Sequence, residues 1–418
     1  MKATNTNKTA GKKIVGFVHL YGYGLGDNVI AMEAIYALKQ IHNNAKVVLF
    51  SVGGAMERLV SEVDFVDEYH SLDGYLPQES LPQINKYTYE CIIITKFYSH
   101  IFSILPRINA RKIIIACKGA NIFLPLLHRH IHLVPMRNLL LQKIGIREHC
   151  LKMVRAYDKK TYDKRVKELD FSKARVKTTQ ANKDFVDEFL QRNIGGNIST
   201  SDNLILVNPF SVMCQHSLSL DGYFNLIRAI IALDFSGGGG SYKAKNTNSL
   251  ESNQKPNDTN NANHKASQND TVPAQFSTKQ SSTKRHTTKL PANKCPTRLL
   301  PLVITYPKVH SEFIAQLEKQ DDLHSRVLVF ANNDDLLNLA EMISRCKVVI
   351  SPSTGIIHLS SNMGVNTIGL YERSESKKWR TKDNRYVFLK SPKSSLSAKE
   401  ENLAIAQSID LLKQILES

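Results

Sequence analysis

The sequence has few cysteines, and its six cysteines lie far apart, at positions 91, 117, 150, 214, 295 and 346. The lack of a C-x-x-C pair argues against a zinc ribbon and a disulfide framework, and it favours the reducing cytoplasm. Long apolar runs are also missing, since none approaches the ~20 residues that span a bilayer. The polar N-terminus, MKATNTNKTAGKK, is unlike a signal peptide. We therefore expect a cytoplasmic protein that at most lies on the inner face of the cytoplasmic membrane.

The sequence has fewer acidic than basic residues. The chain has 38 Asp and Glu against 55 Lys and Arg, which gives a formal net charge of +17. This excess predicts an anionic partner, such as a nucleic acid, a phospholipid surface or a phosphorylated substrate. Because the sequence has no RNP-like or zinc-finger pattern, we expect no nucleic acid.

Part of the basic excess is concentrated in residues 105–155, which contain ten Lys and Arg and one acid, Glu148. Apolar runs such as IFLPLL and NLLLQKIGI lie between these charges. The composition favours a surface that faces an anionic membrane, with a solvated basic face as the alternative. The same region contains HRHIH, with His128, His130 and His132. Without a nearby cysteine or carboxylate these histidines do not indicate zinc, and we expect no metal.

A polar segment over 236–298 is rich in Asn, Ser, Thr, Lys and Gly and has almost no apolar residues. Such a composition cannot bury enough surface to fold, and it predicts a disordered insert. A helical pattern precedes the segment at 219–234, and a strand pattern follows it at 301–306. The insert therefore interrupts a domain and does not separate two.

Elsewhere, short β-branched runs alternate with helical patterns, as in parallel sheets covered by helices on both faces. Strands are predicted at 13–19, 46–51, 91–95, 112–116, 204–208, 301–306, 326–331, 346–351 and 366–371. Helices are predicted at 28–42, 183–193, 219–234, 308–319, 334–345 and 355–363. The predicted fold class is α/β, with two doubly wound Rossmann-like domains and a cleft between them. Their predicted bounds are 1–180 for the first domain, 181–235 with 299–397 for the second, and 398–418 for a final helix.

The first predicted strand runs into the glycine-rich turn GYGLGD at 22–27. A dinucleotide-binding loop reads G-x-G-x-x-G and needs an acidic residue at the end of the second strand. Here the spacing is G-x-G-x-G-D and the second strand ends in Ser51, so the pattern argues against NAD. Asp27 is either the N-cap of the following helix or a general base held at the cleft.

A second loop, SPSTG at 351–355, joins a buried strand to a predicted helix. Free amides at 354–356, together with the helix dipole, are suited to a diphosphate. Ser353 and Thr354 add hydroxyl donors, and Gly355 lets a phosphate approach the backbone. An ordinary capped helix is the alternative interpretation. The motif NDD at 333–335 precedes another helix and is interpreted as its N-cap, not as a metal site.

Three segments together resemble the lipopolysaccharide heptosyltransferase family, which is glycosyltransferase family 9. They are GLGD at 24–27 before an apolar helix, NPF at 208–210 after a strand, and STGIIHLS at 353–360 before the strand TIGLYE. Their order and spacing resemble the ADP-heptose:LPS heptosyltransferase pattern, and the resemblance covers most of the chain outside the insert.

The resemblance implies a GT-B fold with an acceptor domain first and a nucleotide-sugar domain second. It implies inverting, metal-independent transfer of a sugar, typically heptose from ADP-heptose, to a lipid-linked lipopolysaccharide core or a related surface glycan. The nucleotide sugar is then a substrate, and no cofactor is expected. Asp27 would be the base, and Gly24 and Gly26 would give the acceptor room. The donor diphosphate and sugar would contact Ser353, Thr354, Gly355, Ile356 and His358.

The chain departs from the family pattern at two places. The family usually carries a Lys after the N-P-G strand, where this chain has His216 or Gln215. Many members have Asp where Ser353 stands. The missing cation would then come from ERSESKKWR at 372–380, in particular from Lys378, although a solvated basic loop is equally compatible with that segment. A transferase for another nucleotide sugar and a catalytically weakened sugar-nucleotide-binding protein therefore remain alternatives.

Overall fold

Two parallel sheets form the scaffold of the protein. The computed structural model describes residues 13–20, 24–42, 45–74, 77–96, 104–117, 129–141, 143–194, 204–210, 217–233, 299–381, 385–389 and 396–418. The described residues contain twelve strands: β1 Ile14–His19, β2 Lys46–Ser51, β3 Glu68–Ser71, β4 Cys91–Ile94, β5 Ile113–Cys117, β6 Ile131–Pro135, β7 Leu204–Val207, β8 Leu300–Thr305, β9 Leu328–Ala331, β10 Val348–Pro352, β11 Asn366–Glu372 and β12 Tyr386–Leu389.

The helices connect and cover these strands. Those in the described residues are α1 Leu25–Ile41, α2 Ala55–Val60, α3 Pro77–Ile84, α4 Arg137–Leu140, α5 Ile146–Tyr157, α6 Lys159–Arg165, α7 Gln180–Ile194, α8 Leu220–Ile231, α9 Pro307–Leu317, α10 Leu336–Ser344, α11 Gly355–Met363, α12 Arg373–Trp379 and α13 Ala398–Leu416. None of these helices is long and apolar enough to cross a membrane.

Both sheets have the same strand order. The first is β3-β2-β1-β4-β5-β6 and the second is β12-β11-β10-β7-β8-β9, and every neighbouring pair is parallel. The direction of winding reverses between β1 and β4 in the first sheet and between β7 and β10 in the second. Ligands of doubly wound sheets bind at such switch points, beyond the carboxyl ends of the strands. The predicted α/β fold with two doubly wound sheets is confirmed.

Central strands are apolar because helices cover both of their faces. Every residue of β4 and of β7 is buried. One cluster of buried side chains continues from the inner face of the first sheet, through α1, to the inner face of the second sheet. Two further clusters fill the outer faces, and α13 packs into the one beside the second sheet. Both sheets belong to one compact unit.

The sequence patterns miss the short strands at the sheet edges. All nine predicted strands are present within one to two residues at each end, whereas β3, β6 and β12 are unpredicted. These three are edge strands, only partly buried, and carry mixed sequences such as EYHS and IHLVP. The predicted insert at 236–298 lies outside the described residues, and the predicted domain boundaries stay a prediction.

Asn362 ties the segment that joins the two sheets to helix α11. Its side-chain oxygen accepts a hydrogen bond from the Val176 amide (2.9 Å), and its side-chain nitrogen donates to the Ala174 carbonyl (3.1 Å). All three residues are buried. The chain therefore crosses from one sheet to the other against the C-terminal half of α11.

We expect Asn362→Ala to destabilise the protein, because it leaves a buried amide and a buried carbonyl unpaired. The expected loss is about 1–3 kcal/mol in the free energy of unfolding, measured by urea denaturation. Asn402→Ala, at an exposed position of α13, is the matched control and should change stability by less than about 0.5 kcal/mol. Equal effects of the two substitutions would contradict this role of Asn362.

Candidate functional site

Asp27 and Lys96 both lie at the switch point of the first sheet. Asp27 is the third residue of α1, which follows β1, and Lys96 follows β4, the neighbouring strand. The interpretation of Asp27 as an N-cap is wrong, since Gly24 is the N-cap and no side chain caps this helix. Helix α1 begins three residues earlier than predicted, because glycines at its start hide the helical pattern.

The Asp27 carboxyl folds back over the backbone of Gly24. A Cβ atom on residue 24 would lie 2.6 Å from Asp27 Oδ2, so a side chain at this position would displace the carboxyl from its present conformation. Asp27 Oδ1 is buried and has no hydrogen-bond partner among the described residues. An unpaired buried carboxyl oxygen is costly unless a ligand pairs with it. Gly24 therefore has a packing reason to be glycine, and its contact with an acceptor stays a prediction.

The environment of Asp27 opposes its ionisation. Burial raises its pKa from 3.8 to about 6, although the positive charges of Lys96 and Lys378 act in the opposite direction. The two lysines come from different parts of the chain, one after β4 and one in α12. Lys378 therefore lies near enough to Asp27 for its charge to act on the carboxyl. A carboxyl with a pKa near 6 is ionised at neutral pH and is a stronger base than an exposed aspartate.

The switch point of the second sheet is organised by Asn208. This buried side chain donates hydrogen bonds to Ser351 Oγ (3.0 Å) and to Thr354 Oγ1 (3.3 Å). The Ser351 and Thr354 hydroxyls are also hydrogen-bonded to each other at 3.0 Å. The loop after β7 therefore holds the loop after β10, which leads into α11.

Helix α11 presents its first amides at this switch point. Thr354 is its N-cap and makes no side-chain capping bond, because its hydroxyl is bonded to Asn208 and Ser351. The first amides of a helix have no intrahelical acceptor, and the helix dipole adds positive potential there. Ile356 has a buried side chain, so its backbone amide is the group that it can offer to a ligand. Ser353, at the loop before the helix, is partly exposed.

Two glycines allow the N-terminal ends of α1 and α11 to touch. A Cβ atom on Gly26 would lie 2.7 Å from His358 Cδ2 and 3.5 Å from the Gly355 Cα atom. A Cβ atom on Gly355 would lie 2.7 Å from Leu25 Cβ. Contacts closer than 3.0 Å are not tolerated by well-packed atoms. Each glycine therefore lets the other helix approach, and together they bring Asp27 next to the start of α11.

His358 lies behind this contact as a neutral ring. Burial lowers its pKa to about 4, and its ring meets the edge of Trp379 at a centroid distance of 6.3 Å. Lys378 Nζ lies 4.4 Å from the centre of the Trp379 ring. His358, Lys378 and Trp379 also line a pocket of about 480 Å³, part of it open to solvent, together with side chains of α1 and α5. In that pocket Arg147 forms an ion pair with Glu33.

The structure thus brings together most of the predicted site residues. Asp27, Gly24 and Gly26 lie at the first switch point, while Ser353, Thr354, Gly355, Ile356 and His358 lie around the start of α11. His216 and Gln215 lie outside the described residues. Lys96 is not among the residues predicted from the sequence. It follows β4, the neighbour of β1, so its place near Asp27 can be inferred once the strand order is known. The N-cap assigned to NDD is confirmed, since Asp335 accepts from the Leu337 and Asn338 amides.

Comparison with known proteins relates this site to one family. The model of glycosyltransferase family 9 (heptosyltransferase) matches residues 310–407, which include α11 and the loop before it. A search of curated protein sequences finds no match.

Several solved structures have a similar fold. A glycosyl transferase family 9 protein from Veillonella parvula superposes with a TM-score of 0.63 and 12% identity, covering 97% of this chain and 98% of that one. E. coli ADP-heptose lps heptosyltransferase II gives 0.60 and 11%, covering 97% and 98%. E. coli heptosyltransferase WaaC with ADP-2-deoxy-2-fluoro heptose gives 0.54 and 11%, covering 95% and 99%. The fold is that of GT-B heptosyltransferases, and together with the family model it supports the heptosyltransferase family.

We expect Gly26→Ala to destabilise the contact between α1 and α11. The added methyl group gains up to about 1 kcal/mol in helix propensity, but overpacking against the His358 ring costs about 1–3 kcal/mol. The net loss is measured by urea denaturation. His358→Ala removes the atom that the methyl group meets, so Gly26→Ala should cost much less in that background. Purely additive effects of the two substitutions would contradict the contact.

Proposed function

We propose, on the premise of a glycosyltransferase supported by the family 9 match and the GT-B fold, that this chain catalyses inverting, metal-independent transfer of heptose from ADP-heptose. Its acceptor is a lipid-linked lipopolysaccharide core or a related surface glycan. One observation carries the proposal: a buried carboxyl with a free oxygen, Asp27, lies beside the amide-rich start of α11. The base and the anion site come from different sheets and meet through two glycines.

Asp27 is suited to deprotonate the acceptor hydroxyl. Its Oδ1 atom has no partner among the described residues and accepts the hydrogen bond of an incoming hydroxyl. Its pKa of about 6 leaves it ionised at neutral pH while raising its basicity. A base placed in this way contributes roughly 10²–10⁴-fold to the rate.

The start of α11 is suited to the departing diphosphate. Its free amides and dipole stabilise the negative charge that develops on the leaving oxygen without reorganising. Asn208 supports this role because it keeps the Thr354 hydroxyl, and with it the loop, in place. We propose that Ser353, Thr354, Gly355 and Ile356 contact the diphosphate. Lys378 and His216 are proposed as the cations that replace the usual family Lys.

The reaction is a single displacement. The acceptor oxygen forms a bond to the anomeric carbon while the bond from that carbon to the diphosphate oxygen breaks. The hydroxyl proton passes to Asp27, and the nucleoside diphosphate leaves with the electron pair. We propose that the acceptor oxygen approaches the anomeric carbon from the side opposite the departing diphosphate, and such a displacement inverts the configuration at that carbon. The proposed reaction uses no cofactor, because the nucleotide sugar is a substrate.

The identity of the donor is proposed from the heptosyltransferase resemblance. Because Ser353 stands where many family members have Asp, the donor is the part of the proposal that is most informative to test. We expect ADP-heptose to raise the melting temperature of the protein in a thermal-shift measurement with ADP-, UDP- and GDP-sugars, because the ligand binds the folded state alone. A shift with UDP- or GDP-sugars alone would replace ADP-heptose by another donor. The absence of any shift, or a shift with NAD alone, would overturn the transferase proposal.

We expect Asp27→Asn to lose transfer by about 10²–10⁴-fold while the thermal shift with the donor stays unchanged. The amide has the size of the carboxyl but cannot take the proton. In the unsubstituted protein, kcat/KM should rise with pH through about 6, since the ionised carboxyl is the active form. Lys96→Met should move this midpoint to higher pH, because the Lys96 charge favours ionisation. Turnover that survives in Asp27→Asn rules out the base assignment.

A further inference from the structure

The last residue of helix α4 and its C-cap are two adjacent leucines that face solvent. Leu140 is 51% exposed and Leu141 is 54% exposed. The other exposed large apolar side chains in the described part of the chain, Phe185, Phe388 and Leu403, are far apart in the sequence. Leu139, between them and the rest of the helix, is 1% exposed and packs inward. The helix is therefore anchored by one leucine and presents the next two outward.

Two exposed cations flank this pair. Arg137 begins α4 and Lys143 follows it, and neither forms an ion pair with a described residue. Residues 129–155 contain six Lys and Arg against one acid, Glu148. Of the six, Arg147 is paired with Glu33 and Arg155 with Asp163. We call Arg137, Leu140, Leu141 and Lys143 the α4 patch.

The α4 patch lies on the same edge of the first sheet as Asp27. Strand β6 is the outer strand of that sheet and runs parallel to the others, so α4 follows its carboxyl end. Asp27 follows the carboxyl end of β1. Only three residues lie between Leu141 and Gly145. Gly145 lines the pocket, and a Cβ atom added to it would lie 3.5 Å from the Lys378 carbonyl oxygen. The patch therefore lies on the edge of the sheet that carries Asp27, and the chain continues from it directly into the wall of the pocket.

We infer that the α4 patch docks into an anionic lipid bilayer. Two leucines enter the boundary between headgroups and acyl chains, and the flanking cations meet lipid phosphates. This chemistry is complementary to the patch, whereas a purely apolar partner would leave both cations unpaired. The role of this docking rests on the proposed function. With the protein on the bilayer, the lipid of the acceptor stays in the membrane while the sugar of the acceptor reaches Asp27. Two leucines and two cations give weak, reversible binding.

Co-sedimentation with vesicles tests this inference without any turnover. We expect the full chain to bind phosphatidylcholine vesicles that contain one third phosphatidylglycerol. The Leu140→Ser/Leu141→Ser variant should bind at least about tenfold more weakly, since it loses the apolar area that enters the bilayer. Leu403→Ser, which removes an equally exposed leucine (59%) from α13, is the matched control and should bind normally.

A second variant tests the charges. Arg137→Gln/Lys143→Gln should weaken binding to the anionic vesicles and reduce its dependence on salt, because it removes the attraction to lipid phosphates. The thermal shift with the nucleotide sugar should be the same in all variants. If the unsubstituted protein shows no thermal shift with any nucleotide sugar but still binds the vesicles, the proposed function is overturned and the docking surface is retained.

Three results would overturn the docking surface. The full chain fails to sediment with anionic vesicles, or the double serine variant binds them as tightly as the unsubstituted protein. Alternatively, sedimentation equilibrium without lipid finds a dimer that the double serine variant abolishes, in which case a second copy of the chain covers the leucines.

Discussion

The close contact between the first turns of α1 and α11 is the constraint on which the site depends. Each helix starts at the switch point of its own sheet, so the Asp27 carboxyl and the first amides of α11 come together through this contact. Gly26 and Gly355 remove the side chains that would hold the helices apart. Because protein interiors transmit a steric change rather than absorb it, one methyl group at this contact displaces the Asp27 carboxyl relative to the first amides of α11.

Hydrogen bonds on the second sheet hold one side of this arrangement in place. Asn208 fixes the loop before α11, and Asn362 fixes the other end of the same helix to the segment that joins the sheets. A buried asparagine therefore holds each end of α11. Asn208 comes from the loop after β7, whereas Asn362 belongs to the helix and bonds to the segment that joins the sheets.

Much of the fold could be predicted from the sequence, because central strands are buried on both faces and read as continuous apolar runs. The edge strands β3, β6 and β12 could not, because half-buried strands carry mixed residues. The site motifs were recognisable as loops before helices. The contact of Gly26 with His358, the approach of Lys96 to Asp27 and the free Oδ1 atom depend on which strands are neighbours and how two helices pack. Local spacing does not contain that information.

The burial of Asp27 also links the stability of the protein to its protonation. In the folded chain the carboxyl holds its proton up to about pH 6, whereas its ordinary pKa is 3.8. The stabilising contribution of the protonated form is therefore complete below the lower value and is lost as the pH rises through the higher one. Above about pH 6 the ionised, unpaired oxygen weakens the fold by a constant amount. A hydrogen-bond donor bound at Oδ1 offsets part of this destabilisation, so the binding of such a donor and folding stabilise each other most above about pH 6.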